Sequence, residues 1–124
     1  MEEIKKFFFD TYALFELIHG SKNYANYRNA RIITTKLNLM ELHYRILSVY
    51  GDNYAEKAYQ KFLSFVIEIP NEAIKKANRF KYLHKKQKLS YVDCIGYILA
   101  KLYSVKFLTG DKEFKEMENV KFVK

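Results

Sequence analysis

The stretch KKFFFDTYALFELI, Lys5 to Ile18, sets three consecutive phenylalanines directly against an aspartate and then starts a second apolar segment. Lys6 to Phe9 reads as a short buried strand. From Thr11 to His19 the spacing changes, and Ala13, Leu14, Leu17 and Ile18 recur at helical intervals. Asp10 therefore sits at a strand-to-helix seam. Gly20, in HGSKN, is the expected C-terminal cap of that helix.

The same alternation continues along the chain. Asn23 to Asn29 reads as a short helix and Ala30 to Thr35 as a β-branched second strand. Asn38 to Tyr50 is an amphipathic helix with Leu39, Leu42, Ile46 and Val49 as its stripe, stopped by Gly51. Asp52 is expected to cap a further helix running to Phe62. Phe65 to Ile69 reads as a third strand, ended by Pro70. Glu72 to His84 is the next helix, with Ile74, Ala77, Phe80 and Leu83 as its stripe. Ser90 to Tyr103 follows, built on Val92, Ile95, Leu99 and Leu102. Val105 to Thr109 is a fourth strand, Lys112 to Met117 a short helix and Val120 to Val123 a fifth strand. Strands alternating with helices imply crossover units and a mostly parallel sheet covered on both faces.

Size and composition are compatible with this reading. A chain of 124 residues is expected to form one domain over residues 1–124. Hydrophobic residues make up 49% and aromatics 17%, which excludes a disordered tail. The single Cys94 cannot form an internal disulfide, which fits a reducing, cytoplasmic setting. The opening MEEIKKFFFD is not read as a signal peptide, and no window approaches about eighteen uncharged apolar residues, so no membrane span is expected. The net charge of +8 comes mostly from lysine and favours a polyanionic partner, with nucleic acid first; a lysine-rich proteome or a thermophile's ion-pair surface is the plainer alternative.

Ligands of open parallel sheets bind at the carboxyl ends of the strands. Asp10 ends the first strand, and Asp111 follows the fourth in FLTGD. Glu41 falls in the first turn of the helix after the second strand, and Asp93 in the first turn of the helix before the fourth. Each acid taken alone has a plain structural explanation. Asp10 can cap the helix at Thr11, NLME and SYVD fit a loose capping box, and Asp111 can be a turn residue beside Gly110. If the first and fourth strands are neighbours, all four converge at one sheet edge. Packed unpaired carboxylates repel one another, and a hard divalent cation with oxygen-only ligands, Mg²⁺ or Mn²⁺, removes that penalty. A negative pit in a basic surface suits hydrolysis of a phosphodiester.

FFFDTYALFELI, TKLNLMEL, LSYVDCIGYILAKLYSVKFLTGDKEF and the closing VKFV resemble the PIN domain, and more narrowly the VapC-type toxins of prokaryotic toxin–antitoxin pairs. The resemblance covers essentially the whole chain. It implies a three-layer α/β/α fold around a five-stranded parallel sheet in the order 3-2-1-4-5. It also implies Mg²⁺- or Mn²⁺-dependent cleavage of RNA by activated water. Carried over by motif position, Asp10, Glu41, Asp93 and Asp111 match the acidic quartet that holds the metal. Thr109 matches the small hydroxyl residue that accompanies the last acid, and Thr11 follows the first acid as it often does in the family. A cognate antitoxin and a homodimer are implied partners. A housekeeping RNA-processing nuclease and a non-catalytic RNA-binding module remain alternatives on the same fold.

Lys75 to Lys88 holds seven Lys or Arg and no acid, with Phe80, Tyr82 and His84 interleaved. It reads as an RNA track, with Arg79, Lys85, Lys86 and Lys88 on phosphates and the aromatics on bases; a solvated helix face is the plainer alternative. His43 and Cys94 read as packed side chains.

Overall fold

Phe7, Phe8 and Phe9 divide between two hydrophobic cores, and that division organises the molecule. The computed structural model describes residues 4–124 and makes β1 (Lys6–Phe9) a central strand. Successive side chains on a strand point to opposite faces. Phe7 and Phe9 accordingly join Leu108 in one core, while Phe8 joins Ile33 and Phe107 in the other.

β1 pairs with β2 (Arg31–Ile33) on one side and β3 (Lys106–Thr109) on the other, and β4 (Val120–Phe122) extends the sheet beyond β3. Every pairing is parallel, and the order is β2-β1-β3-β4. The sheet therefore has four strands among the described residues, not five. The segment expected as the third strand, 65–69, makes one bridge between Thr34 and Val66. Thr34 N–H bonds to Phe65 O at 3.1 Å and Ile67 N–H to Thr34 O at 2.9 Å. A 3₁₀ turn over Leu63–Phe65 takes up one end of the segment, and Pro70 opens the next helix at the other. Too few residues are left for a ladder. The segment still runs along the β2 edge, and Ile67 and Ile69 pack into the second core.

Helices α1 (Thr11–His19), α2 (Lys36–Tyr50) and α3 (Asp52–Phe62) cover the face of Phe7 and Phe9 through Leu14, Leu39, Leu42, Ile46, Ala55 and Phe62. Helices α4 (Asn71–Leu83) and α5 (Tyr91–Leu102) cover the other face through Ala73, Ala77, Ile95, Leu99 and Ala100. Gly20, at φ 80°, and Gly51, at φ 93°, end α1 and α2 in the left-handed region that favours glycine.

Several helix details differ from the sequence reading. Val49, Ile74, Leu83 and Leu102 are exposed. α4 meets its core through the small Ala73 and Ala77, which turns Ile74 and Leu83 outward, and Val49 and Leu102 lie in the last turns of α2 and α5. Asp52 is the first residue of α3 and makes no side-chain cap. The segments expected as short helices at 23–29 and 112–117 are 3₁₀ turns, Lys22–Tyr27 and Lys112–Phe114.

The chain runs from β1 outward to β2, then returns across β1 to β3. Strand order thus reverses between β1 and β3, the place where open α/β sheets form a crevice at the carboxyl ends of their strands. No helix among the described residues is long and apolar enough to cross a membrane.

Candidate functional site

Three of the expected acids meet at that crevice, each fixed by a helix or turn cap. The end of β1 is tied to β3 by Asp10 N–H, which donates to Leu108 O at 3.2 Å. Asp10 is only 3% exposed, and its Oδ1 accepts from Ala13 N–H at 2.8 Å to cap α1. Asp93 forms a full capping box with Ser90: Ser90 N–H donates to Asp93 Oδ2 and Asp93 N–H to Ser90 Oγ, both at 3.0 Å. Asp111 accepts from Glu113 N–H at 3.0 Å, and its own N–H donates to Thr109 Oγ1 at 3.0 Å. Capping and clustering are thus the same arrangement. The caps at the carboxyl end of the sheet hold Asp10, Asp93 and Asp111 around one cleft of about 530 Å³, with Thr11 and Tyr12 on its lining.

Glu41 stands beside this cleft rather than in it. It lines an adjoining shallow pocket with Met40, Tyr44 and Arg45, and Thr11 borders both. α2 starts at Lys36 behind a Thr35 cap, so Glu41 lies in the second turn and NLME is no capping box. A chain of polar side chains holds it. Thr35 Oγ1 donates to Asn38 Oδ1 at 2.6 Å, Asn38 Nδ2 to Thr11 Oγ1 at 3.2 Å, and Thr11 Oγ1 to Glu41 Oε1 at 2.6 Å. Thr35 and Asn38 are buried, and sequence reading missed both in this role. The one local trace of them is the three-residue spacing from a hydroxyl to an amide in TKLN. The neighbouring Thr34 donates its hydroxyl to Phe9 O at 2.9 Å and closes the sheet end beneath Asp10.

The four acids form one electrostatic group. Burial pushes the Asp10 carboxyl up to about 8; the Thr109 hydroxyl and Ala13 N–H pull against that, while the charges of Asp93 and Asp111 add to it. Thr109 Oγ1 already accepts from Asp111, which leaves its O–H free for Asp10. Burial also raises Asp93, against the opposing Ser90 hydrogen bonds, with Asp111 adding to the rise and Lys81 countering it. Glu41 is raised by burial and by the Asp93 charge, with Thr11 opposing. The ion pairs among the described residues are Lys76–Glu72 and Lys101–Glu118, so no basic side chain pairs with these acids.

The expected four-carboxylate metal centre is not preformed: among the described residues no three His, Cys, Asp or Glu side chains group closely enough to hold an ion. Each aspartate uses an oxygen on a cap, mutual repulsion opposes closer approach, and Thr11 holds Glu41 to one side. The donor chemistry nevertheless fits a hard divalent cation. The donors are all oxygen, and carboxyls raised by burial and further by one another's charge are what such a cation neutralises.

The expected RNA track lies elsewhere. Arg79, Lys85, Lys86 and Lys88 are exposed on α4 and the turn after it, and none lines the cleft. Phe80 is not available to a base, because its ring packs 4.2 Å from His84 and 4.8 Å from Tyr97. Tyr82 is exposed, with Lys85 Nζ 5.0 Å from its ring centre. His43 packs edge-on against Tyr59, and Cys94 is buried with its thiol pushed up to about 11, chiefly by burial.

Comparison with known proteins agrees with this fold. The VapC20 toxin of Mycobacterium tuberculosis, described as cleaving the sarcin-ricin loop, superposes with a TM-score of 0.77 at 18% identity, over 95% of this chain and 99% of that one. A toxin–antitoxin complex from Klebsiella pneumoniae matches with a TM-score of 0.70 at 19% identity, over 92% and 94% of the two chains. VapBC2 of Rickettsia felis, bound to a fragment of its promoter DNA, matches with a TM-score of 0.70 at 16% identity, over 96% and 99%. At such identities the likeness is one of fold. A search of curated proteins finds no match. The sequence profile of the PIN domain matches residues 7–120, a span that takes in both cores and all four acids, and the chain accordingly belongs to the PIN domain family.

Proposed function

We propose that this PIN-domain chain is a divalent-metal-dependent endoribonuclease and the toxin of a toxin–antitoxin pair. The observation that carries the reading is the meeting of Asp10, Asp93 and Asp111, without a basic partner, at the β1/β3 crevice. Asp10, Asp93 and Asp111 are the residues to hold Mg²⁺ or Mn²⁺, with Glu41 completing the set from its neighbouring pocket. When bound, such an ion supplies Lewis-acid activation of water and neutralises charge on a phosphodiester.

The chain's own residues do the positioning. The caps hold three carboxylates around one cleft before substrate arrives, and a bound ion would draw them the rest of the way together. Thr109 opposes the burial that raises the Asp10 pKa and orients its carboxyl, and Thr11 does the same for Glu41. Attack by water in line with the leaving 3′ oxygen gives a 5′-phosphate and a 3′-hydroxyl, and no side-chain nucleophile is needed.

A protein partner fits the same reading. Met40 and Tyr44 are exposed next to Glu41, so a cognate antitoxin laid across them would bury apolar surface and cover the acids together. Two of the similar solved structures are complexes with an antitoxin or with VapB. A homodimer belongs to the same proposal, and light scattering of the purified chain tests it.

The deciding experiment is Mn²⁺-dependent cleavage of total cellular RNA by the wild type beside Asp93→Asn. Cleavage by the wild type that EDTA stops and the variant lacks, with 5′-phosphate ends, supports the nuclease. Undiminished cleavage in EDTA, or by Asp93→Asn, overturns it.

A further inference from the structure

The cleft that holds the three aspartates is lined by more than acids. Lys112 and Lys115 border it, as do the rings of Tyr12 and Phe122. Lysines beside carboxylates usually neutralise them as ion pairs, but here neither lysine forms one among the described residues. Their cationic capacity remains for a ligand.

Their placement is built into the turn after β3. Phe114 is fully buried between Phe107 and Tyr97 and pins the turn to the core. Phe114 N–H donates to Asp111 O at 3.0 Å and Lys115 N–H to Lys112 O at 3.2 Å, which ties both lysines to the backbone that carries Asp111. The Lys115 ammonium lies 5.6 Å from the Phe122 ring centre, which holds it at the β4 side of the cleft.

Tyr12 is fixed in its turn by Gly110. A Cβ at residue 110 would fall 2.1 Å from Tyr12 Cε1 and 2.5 Å from its Cζ, so the ring lies against bare backbone. Its position is set from below by glycine while it still lines the cleft. A ring held in place at a groove with unpaired cations is the combination that proteins use on single-stranded nucleic acid, with stacking for bases and lysine for phosphates.

We infer that this side of the cleft is a nucleotide subsite: Lys112 and Lys115 hold backbone phosphates of single-stranded RNA next to the scissile bond, and Tyr12 stacks on a base. The inference rests on the proposed ribonuclease activity and adds the path of its substrate. It also moves that path away from the lysine-rich α4 segment, whose Lys85 and Lys86 do not line the cleft and whose Phe80 and His84 are engaged in packing.

The test is binding of a short, labelled single-stranded RNA by fluorescence anisotropy across a salt series, in an Asp93→Asn background that does not cut. Lys112→Glu with Lys115→Glu should weaken binding at least tenfold. It should also lower the slope of log affinity against log salt by about 1.4, the value for two single-strand phosphate contacts. Tyr12→Ala should weaken binding about tenfold with the slope unchanged, and Tyr12→Phe should restore it. Thermal melts of each variant check that it is folded. If the Lys112/Lys115 pair leaves affinity and slope unchanged, or if the slope falls only with Lys85→Glu and Lys86→Glu, the subsite is overturned while the nuclease stands. If the otherwise unmodified chain neither binds nor cuts RNA, both readings fall together.

Discussion

Thr11 Oγ1 donates to Glu41 Oε1 at 2.6 Å, joining the first turn of α1 to the second turn of α2 across 30 residues of sequence. The same oxygen accepts from Asn38 Nδ2, so one hydroxyl sets the position of the acid outside the main cleft. Thr11→Val keeps the shape and removes the hydroxyl. It leaves the Asn38 amide without its acceptor, at about 1–3 kcal/mol for an unsatisfied buried donor. If Glu41 completes the metal set, cleavage should fall about 10- to 100-fold, the usual effect of losing a group that orients a ligand. Thr11→Ser should recover most of it. Cleavage rates with melting temperatures for the pair separate lost positioning from lost fold.

Asp10 makes the stability of the metal-free protein depend on pH. Its folded pKa, about 8, lies above its ordinary value of 3.8. Between these limits the folded state keeps a proton that the unfolded chain has released, so stability falls as pH rises from about 4 to about 8. The slope reaches at most about 1.4 kcal/mol per pH unit where the two states differ by one full proton. Asp10→Asn should flatten that slope and raise the melting temperature at pH 8 while abolishing cleavage. Melts in EDTA from pH 5 to pH 8 measure it, and equal slopes in wild type and variant would show that Asp10 is not the group responsible.

A divalent cation should reverse the same penalty. Mn²⁺ at a hundred times its dissociation constant stabilises a folded protein by about 2.7 kcal/mol through mass action alone. The increase should be larger at pH 8 than at pH 5, because at pH 5 the ion must displace the proton from Asp10. EDTA should remove the increase, and Asp93→Asn should reduce it. The same thermal shift in Asp93→Asn would place the ion elsewhere on the molecule.

What could be read from the sequence followed from how far each determinant reaches along the chain. The five long helices show in local periodicity, and Asp10, Asp93 and Asp111 stand out because strand ends and caps are local features. The Phe65–Ile69 segment has a strand's composition, but a ladder also needs free length on both sides, and the turn at Leu63–Phe65 and Pro70 remove it. The support of Glu41 was invisible, since the Asn38–Thr11 and Thr11–Glu41 bonds join residues 27 and 30 apart. Charge density along the chain singled out Lys85 and Lys86. Which lysines reach the acids depends on how the turn after β3 packs, and that brings Lys112 and Lys115 to the cleft.

Gly110 tests how tightly that corner is built. A methyl group there would meet Tyr12 Cε1 at 2.1 Å and Val123 O at 2.6 Å, one a ring in the cleft and the other the backbone just past β4. Real Cβ contacts are never so short, so both neighbours must move. Gly110→Ala should cost about 1–3 kcal/mol, as overpacking of a filled site usually does. Pairing it with Tyr12→Ala removes the ring but not the carbonyl, so the double variant should recover part of the loss and not all of it. Chemical denaturation of the two single variants and the double gives the coupling directly. Strictly additive losses would mean that the Tyr12 ring does not rest on this glycine in solution.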